Sequence, residues 1–348
     1  MLQKRCREHG LTVGELPTGP LNKISDVPGV LVGHATLDDA RHKTGVTVVI
    51  PGADDPFFHK PVAAAFVLNG FGKTLGLMQV QELGVIETPI AITNTLNVGR
   101  IHDAMVGYMI ETCQKADYRL TSVNPIVCEC NDAGLNDIQD RALGAEHLRA
   151  AIADARADFA EGDVGCGKGT VCHSLKGGVG SASRQVELDG RTYTLGVLVQ
   201  SNHGSLKDLR IDGRPAGRMI DAALNASAPD KGSIISIMAT DVPLSSRQLE
   251  RVLKRASVGL ARLGSFIGHG SGEVMLGFTT ANRMPHDSET QLLPFHALAE
   301  SKIDLLFRAM AEAEEEAVLN SMLTAQTVTG FDGTTKRSLR EFMGQIRA

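Results

Sequence analysis

The chain has 348 residues, 43% of them hydrophobic and 22% charged, a composition typical of a globular protein with one large domain or two ordinary ones. A formal net charge of −5, 4% aromatic residues and the lack of tryptophan argue against nucleic-acid binding, which needs a basic surface or stacking side chains. We find neither a secretory signal nor a run of about 18 apolar residues, so we expect a cytoplasmic protein that does not bind membranes.

The first half of the sequence predicts short strands broken by glycine and proline, and two amphipathic helices. The strands are predicted at residues 29–32, 46–50, 62–68, 89–93 and 125–129. The first helix should bury Ile101, Ala104, Met105, Tyr108 and Met109, and the second Leu148, Ile152, Ala155 and Phe159. Residues 162–180 are dense in glycine and predict a loop.

In the second half, a strand at residues 193–200 is followed by a polar linker, 225–232, and an apolar strand, 233–239. Ser245 and Gln248 have capping-box spacing and predict the start of a helix. Its apolar stripe would consist of Leu249, Val252, Leu253, Ala256, Leu260 and Leu263. A strand at 274–280 and a long helix from about 297 to 323 follow. Because strands and helices do not alternate strictly, the pattern favours an α+β layered sandwich over a doubly wound sheet.

Two sequence patterns resemble cofactor sites, but neither matches the motif that such a site requires. Residues 162–168 have the spacing of a nucleotide-binding loop, but Gly169 stands where a serine or threonine would bind magnesium, so we interpret them as a glycine-rich loop packed against other backbone. The soft metal ligands match no zinc spacing, and we predict no metal and no cofactor. These ligands are Cys128, Cys130, Cys172, His173, His203 and His269. With Cys6, Cys113 and Cys166, the cysteines are expected to be reduced, mostly buried thiols.

The junction between the polar linker and the apolar strand holds the pair Gly232–Ser233. A serine that opens a buried strand after such a segment is where a chain could cut itself, because Gly232 has no Cβ to oppose unusual backbone geometry. The freed α-amine of Ser233 titrates near pH ~7.7–8.0 and could act as the base for its own hydroxyl. A second cluster, residues 270–273, reads Gly-Ser-Gly-Glu.

Ordered blocks along nearly the whole chain resemble the autoproteolytic L-aminopeptidase/D-Ala-esterase/amidase (DmpA-like) family, which includes the β-peptidyl aminopeptidases. The blocks that carry the resemblance are PTGPLNKISDVPGVLVGHAT, TGVTVVIP, FVLNGFGKTLGL, ETPIAITNTLNVG, ECNDAGLND, GKGTVCHSLKGGVGSASR, GVLVQSNHG, KGSIISIMATDVPL, GHGSGEVMLGFTTAN and TVTGFDG. The resemblance implies a four-layer αββα sandwich of the N-terminal-nucleophile-hydrolase type. It also implies one domain, residues 1–348, processed into an α chain, 1–232, and a β chain, 233–348.

The same resemblance implies the roles of individual residues. Ser233 would be the nucleophile, Ser271 and Glu273 its hydroxyl and acidic partners, and Asn202 the oxyanion donor. Glu129 would receive the free amino group of the substrate. The implied activity is hydrolysis of the amide or ester bond after a free N-terminal α- or β-amino acid. Small peptides, amino-acid amides and esters are the expected substrates, and a homo-tetramer of processed protomers is the expected assembly.

The chain departs from the family pattern at two places. Relatives place aromatic residues after the glutamate, in a stretch like E-T-[WY]-D-G-[WY]-L-N-D, whereas this chain reads ECNDAGLND, with Asn131 and Gly134 at the aromatic positions. In relatives a phenol at the position of Asn131 contributes to the substrate site. The family segment NGxGExxG is also altered, because Lys73 replaces the acid.

Two alternatives stay open on this fold. One is an acyltransferase of the ornithine acetyltransferase type, against which the serine at position 233 counts because that type uses a threonine. The other is an unprocessed, non-catalytic binding protein, which the altered segment after Glu129 favours and the intact Ser233, Ser271 and Glu273 oppose.

Overall fold

Two β-sheets of unequal size form the middle of the molecule in the computed structural model, which describes residues 4–224 and 232–347. The strands are β1 Val30–Asp38, β2 Lys43–Pro51, β3 His59–Gly70, β4 Ile90–Asn94, β5 Ile126–Cys130, β6 Val171–Cys172, β7 Leu175–Lys176, β8 Gly178–Leu188, β9 Arg191–Asn202, β10 Ser233–Thr240, β11 Gly272–Pro285, β12 Val328–Thr329 and β13 Thr335–Lys336. The smaller sheet has the order β1-β2-β4-β5 and the larger one β3-β11-β10-β9-β8, while β6-β7 and β12-β13 form separate pairs.

Helices cover the outer face of each sheet. They are α1 Leu77–Leu83, α2 Val98–Lys115, α3 Ala145–Ala153, α4 Ala216–Leu224, α5 Ser246–Leu253, α6 Ala256–Arg262, α7 Asp304–Thr324 and α8 Met343–Arg347. Helices α2 and α3 pack on the smaller sheet, whereas α5 and α7 pack on the larger one. One apolar core lies between the sheets and one between each sheet and its helices. The four-layer αββα sandwich predicted from the sequence is confirmed.

The larger sheet brings four strand ends together. Strand β10 lies between β9, which runs antiparallel to it, and β11, which runs parallel. The register places Ser233 opposite Asn202 and Ile234 opposite Glu273, and the last residue of β3, Gly70, pairs with the first residue of β11. The starts of β10 and β11 therefore meet the ends of β9 and β3 at one edge of the sheet.

Three sequence predictions of helices need correction. The helix predicted to include Ala155 and Phe159 ends at Ala153, because Arg156 pairs with Val32 at the edge of β1 and Phe159 turns into the core between the sheets. The single helix predicted after Ser245 is two helices, α5 and α6, although the capping box of Ser245 and Gln248 is confirmed. The long helix begins at Asp304 rather than near 297.

Other predictions have mixed outcomes. All six cysteines are buried, as expected, and none of them forms a disulfide within the described residues. Strand β8 was not predicted, and the loop predicted at residues 162–180 is wrong in part, because β6, β7 and the first residues of β8 lie within it. The glycine-rich segment does pack against other backbone as expected, since a Cβ at Gly162 would meet the backbone of Thr324 and Ala325. The linker residues 225–231 lie outside the described part. Within residues 4–224 and 232–347 we find no helix with the length and apolarity required to cross a membrane.

Candidate active site

Ser233 is the first residue of β10 and is 8% exposed. Its Oγ accepts a hydrogen bond from the backbone N–H of Gly272 over 3.1 Å. A Cβ added at Gly232 would overlap the carbonyl oxygen of Asn202 and lie 2.8 Å from Cα of His203. Crowding by the end of β9, rather than a left-handed backbone, therefore requires glycine before Ser233.

Ser271 and Glu273 flank the residue that donates to Ser233, and both are fully buried. The hydroxyl of Ser271 donates to Oε1 of Glu273. The amide of Asn69, at the end of β3, donates to the carbonyl of Gly268 over 3.1 Å and also to that of Ser271, which holds the turn before β11 in place. The structure thus brings Ser271 and Glu273 to the strand end at which Ser233 lies.

Asn202 ends β9 directly opposite Ser233 and is 6% exposed. Its Oδ1 accepts a hydrogen bond from the backbone N–H of Val171 over 2.8 Å. Because the oxygen of the amide is engaged, the NH₂ group is its remaining polar group and can donate to an oxyanion. The register and this hydrogen bond fit the donor role expected for Asn202.

Glu129 belongs to the smaller sheet, near the end of β5, and is 3% exposed. Its Oε1 accepts the backbone N–H of Lys73 over 2.9 Å, and its Oε2 accepts the hydroxyl of Thr95, which follows β4. Each carboxylate oxygen has a second lone pair, so Glu129 can still accept a substrate ammonium.

The segment Phe71–Gly72–Lys73 connects Glu129 with the strand end of Ser233. A Cβ at Gly72 would lie 3.7 Å from Oε1 of Glu129, and a Cβ at Gly272 would lie 2.6 Å from the carbonyl oxygen of Phe71. Gly272 in turn donates to Ser233. An unbroken series of contacts therefore runs from the nucleophile candidate to the carboxylate, although the two belong to different sheets.

The two positions that lost aromatic residues lie beside this site. Asn131 is exposed, and its Oδ1 accepts the N–H of Ala133 over 3.0 Å, so its side chain caps its own loop. A Cβ at Gly134 would lie 3.7 Å from Cγ2 of Val171. A side chain at position 134 would thus extend over the residue whose N–H orients Asn202.

Sequence reasoning missed the groups that hold these side chains in place. They are the backbone N–H groups of Gly272, Val171 and Lys73 and the hydroxyl of Thr95. Three of the four are main-chain groups, which every residue except proline carries, so no residue type in the sequence could have marked them.

Three soft ligands form a buried cluster behind β9. The ligand atoms of Cys172, His173 and His203 lie within 4.8 Å of one another. The rings of His173 and His203 pack edge to face, with centroids 5.4 Å apart, and Nδ1 of His173 lies 3.0 Å from the carbonyl oxygen of Ser205. Burial and the neighbouring His173 lower the pKa of His203 to about 3, so this ring stays neutral. The expectation of a metal-free protein stays a prediction.

The other candidate ligands are placed differently. Cys128 and Cys130 lie in the core between the sheets, where burial raises the pKa of the Cys128 thiol to about 12. A thiol with such a pKa stays protonated and is a poor nucleophile and metal ligand. His269 is exposed, with its ring centroid 6.1 Å from that of Phe71.

Comparison with known proteins gives one consistent family. The model of peptidase family S58 matches residues 22–336. The β-peptidyl aminopeptidase BapA of Sphingosinicella microcystinivorans is 37% identical to this chain in an alignment that covers 96% of this chain and 89% of that protein.

Two solved structures match the fold of this chain along nearly its whole length. The PH0078 protein of Pyrococcus horikoshii OT3 is 44% identical, with a TM-score of 0.92 and 99% of each chain covered. The L-aminopeptidase D-Ala-esterase/amidase of Ochrobactrum anthropi is 32% identical, with a TM-score of 0.89 and 98% of this chain and 99% of that one covered. That protein is described as a prototype serine aminopeptidase with a variant of the N-terminal-nucleophile-hydrolase fold, and the present chain has the same fold.

Proposed function

Because the chain belongs to peptidase family S58 and is a serine aminopeptidase, we propose that it cuts its own backbone between Gly232 and Ser233 and then hydrolyses β-aminoacyl peptides and amides. The observation that supports this most is the place of Ser233. It opens β10 opposite Asn202, and its Oγ lies 3.1 Å from the N–H of Gly272.

In the self-cleavage step, Oγ of Ser233 attacks the carbonyl carbon of Gly232. The C–N bond breaks, and the nitrogen of Ser233 takes the proton of the hydroxyl, which leaves an ester between the two residues. Water then hydrolyses the ester, which releases a carboxylate on Gly232 and restores the hydroxyl of Ser233, whose α-amine was freed when the C–N bond broke. The products are residues 1–232 and 233–348.

The two fragments should remain associated after cleavage. The larger sheet contains β3, β8 and β9 from the first fragment and β10 and β11 from the second, and β10 is hydrogen-bonded to β9 across the fragments. The core between the larger sheet and α7 also combines residues of both fragments. Separation would expose this core, so we propose that the processed protomer is a tight heterodimer.

In the hydrolytic reaction, the α-amine of Ser233 takes the proton of its own hydroxyl as Oγ attacks the substrate carbonyl. The amide of Asn202 stabilises the tetrahedral oxyanion. The leaving amine receives the proton, and water hydrolyses the ester of Ser233 by the same sequence of steps. Glu273, which accepts the hydroxyl of Ser271, supplies negative charge that stabilises the transient ammonium of Ser233.

Glu129 selects substrates with a free amine. A buried carboxylate whose two oxygens accept an N–H and a hydroxyl is held in one orientation, and a substrate ammonium adds a charge-assisted hydrogen bond. The proposal that the substrates carry β-amino acids is supported by two relatives that are named β-peptidyl aminopeptidases and are 37% and 36% identical to this chain.

The experiment compares β-alanine p-nitroanilide with its N-acetyl form. We expect the purified protein to release nitroaniline from the free amine much faster than from the N-acetyl form, and Ser233→Ala to be inactive. Ser201→Ala is the matched control, because Ser201 is a buried serine next to Asn202 whose Oγ bonds Ser321 instead. Hydrolysis of both substrates at equal rates, or an active Ser233→Ala, would contradict the proposal.

A further inference from the structure

An exposed lysine lies beside Glu129, the carboxylate proposed to bind the substrate amine. Lys73 donates its backbone N–H to Glu129, and its side chain is exposed. Within the described part of the chain, no carboxylate forms a salt bridge with Lys73. Its Nζ lies 4.7 Å from the ring centroid of Phe71, which is itself 54% exposed.

The position of this ammonium is restricted at both ends of the residue. The backbone of Lys73 is fixed by the buried Glu129, and the Phe71 ring attracts the ammonium through a cation–π contact. The Phe71 carbonyl lies against Gly272, next to the strand end of Ser233. A group attached to the same carbon as an amine bound by Glu129 therefore lies close to the backbone of Lys73, from which its side chain extends.

We propose that Lys73 binds a carboxylate of the acyl group, and that β-aspartyl (isoaspartyl) peptides and amides are substrates of this enzyme. This inference rests on the proposed function. An isoaspartyl residue, H₃N⁺–CH(COO⁻)–CH₂–CO–, carries its amine on the carbon β to the scissile carbonyl, so it is a β-amino acid with a carboxylate substituent. Its ammonium pairs with Glu129, its carboxylate with Lys73, and its carbonyl faces Ser233.

The charges of the site favour a substrate carboxylate on the acyl side of the scissile bond over one on the leaving group. Glu129 alone would repel an anionic substituent next to the amine that it binds, and the cation of Lys73 removes that repulsion. A carboxylate on the leaving group lies beyond the scissile carbonyl, away from Glu129. A neutral β-amino acid leaves Lys73 with the Phe71 ring as its contact.

The test uses three p-nitroanilides with the same leaving group: the β-linked anilide of L-aspartic acid, its α-carboxamide, and β-alanine p-nitroanilide. The quantity compared is the ratio of kcat/KM for the carboxylate to kcat/KM for the carboxamide, which differ only in charge at the proposed subsite. We expect a ratio of about ten in the wild type, the lower end for a charge-assisted hydrogen bond at an exposed cation. The ratio should fall as salt is added, because salt screens exposed charges.

K73M should bring this ratio to about one, and K73E should invert it. K254E is the matched control, because Lys254 is another lysine over a phenylalanine ring, that of Phe66, and should leave the ratio unchanged. Fragment composition and melting temperature of each variant show that it is folded and processed. Two variants of different charge keep the test valid if one of them does not fold.

A wild-type ratio near one, with β-alanine p-nitroanilide hydrolysed, would overturn the assignment of Lys73 and leave the proposed function intact. A high ratio that K73M and K73E do not change would also overturn it. Absence of hydrolysis of all three anilides by fully processed enzyme would instead refute the proposed function, and this inference with it.

Discussion

Replacement of Asn202 separates its proposed chemical role from its structural role. The amide presents two groups to different partners: Oδ1 accepts the N–H of Val171 over 2.8 Å, and the NH₂ group is left for the oxyanion. Asn202→Asp keeps an acceptor for Val171 and removes the donor. Asn202→Ala removes both.

The expected magnitudes follow from this division. Loss of one preorganised oxyanion donor typically lowers kcat by ~10²–10³, so both variants should lose at least that much. Only Asn202→Ala leaves the N–H of Val171 without its acceptor, which should lower the free energy of unfolding by a further ~1–3 kcal/mol. The two variants should thus be similar in kcat and different in stability.

The assay combines kcat on β-alanine p-nitroanilide with urea unfolding of the same samples. Both variants are compared after processing is complete, which a denaturing gel establishes. If Asn202→Asp keeps kcat within a few fold of the wild type, Asn202 is not the oxyanion donor. If both variants lose activity only in proportion to stability, the residue has a structural role.

Three further predictions concern Glu129, metal and pH. Glu129→Gln should remove one charge-assisted hydrogen bond to a free-amine anilide and so lower its kcat/KM by the equivalent of ~1.5–3 kcal/mol. The kcat/KM of the N-acetyl form should stay unchanged, and an equal loss on both substrates would make Glu129 structural. Activity should survive prolonged chelation, and loss that zinc restores would implicate Cys172, His173 and His203. Burial raises the pKa of Glu314 from 4.5 to about 8, so the folded protein retains a proton that the unfolded chain releases between these values. The free energy of unfolding should therefore fall from pH 5 to pH 8, and Glu314→Gln should flatten this dependence; an unchanged slope in urea titrations would contradict it.

Strands rich in apolar side chains could be predicted from the sequence, whereas a strand rich in small residues was missed. Strand β8 contains Gly178, Gly180, Ser181 and Ala182 and has few β-branched residues. Helix α7 packs directly on it, and a Cβ at Gly180 would collide with the carbonyl of Ala317. Close packing between layers thus required a composition that local strand propensity does not recognise.

The helix errors have a similar origin. The 3.6-residue spacing of Leu148, Ile152, Ala155 and Phe159 fits a helix, but pairing of Arg156 with Val32 in the adjacent sheet outweighs that local preference. The capping box at Ser245 was predictable because it depends on two nearby side chains alone.

The candidate site could be predicted only in part. The resemblance located Ser233, Ser271, Glu273, Asn202 and Glu129, and the fold brings the first four to one edge of the larger sheet. The connection to Glu129 through residues 71–73 depends on contacts between two sheets, which residue order does not reveal. The backbone donors cannot be identified from side-chain types, because every residue except proline has a backbone N–H.

The central claim is that Ser233 is both the cleavage point and the nucleophile, and the mass of the purified chains tests it most directly. Intact-protein mass spectrometry with N-terminal sequencing should show two fragments that together account for 37.0 kDa, the smaller beginning at Ser233. Ser233→Ala, expressed and purified in parallel, should remain a single chain. An uncut wild type, or a Ser233→Ala protein cut at the same bond, would contradict the account.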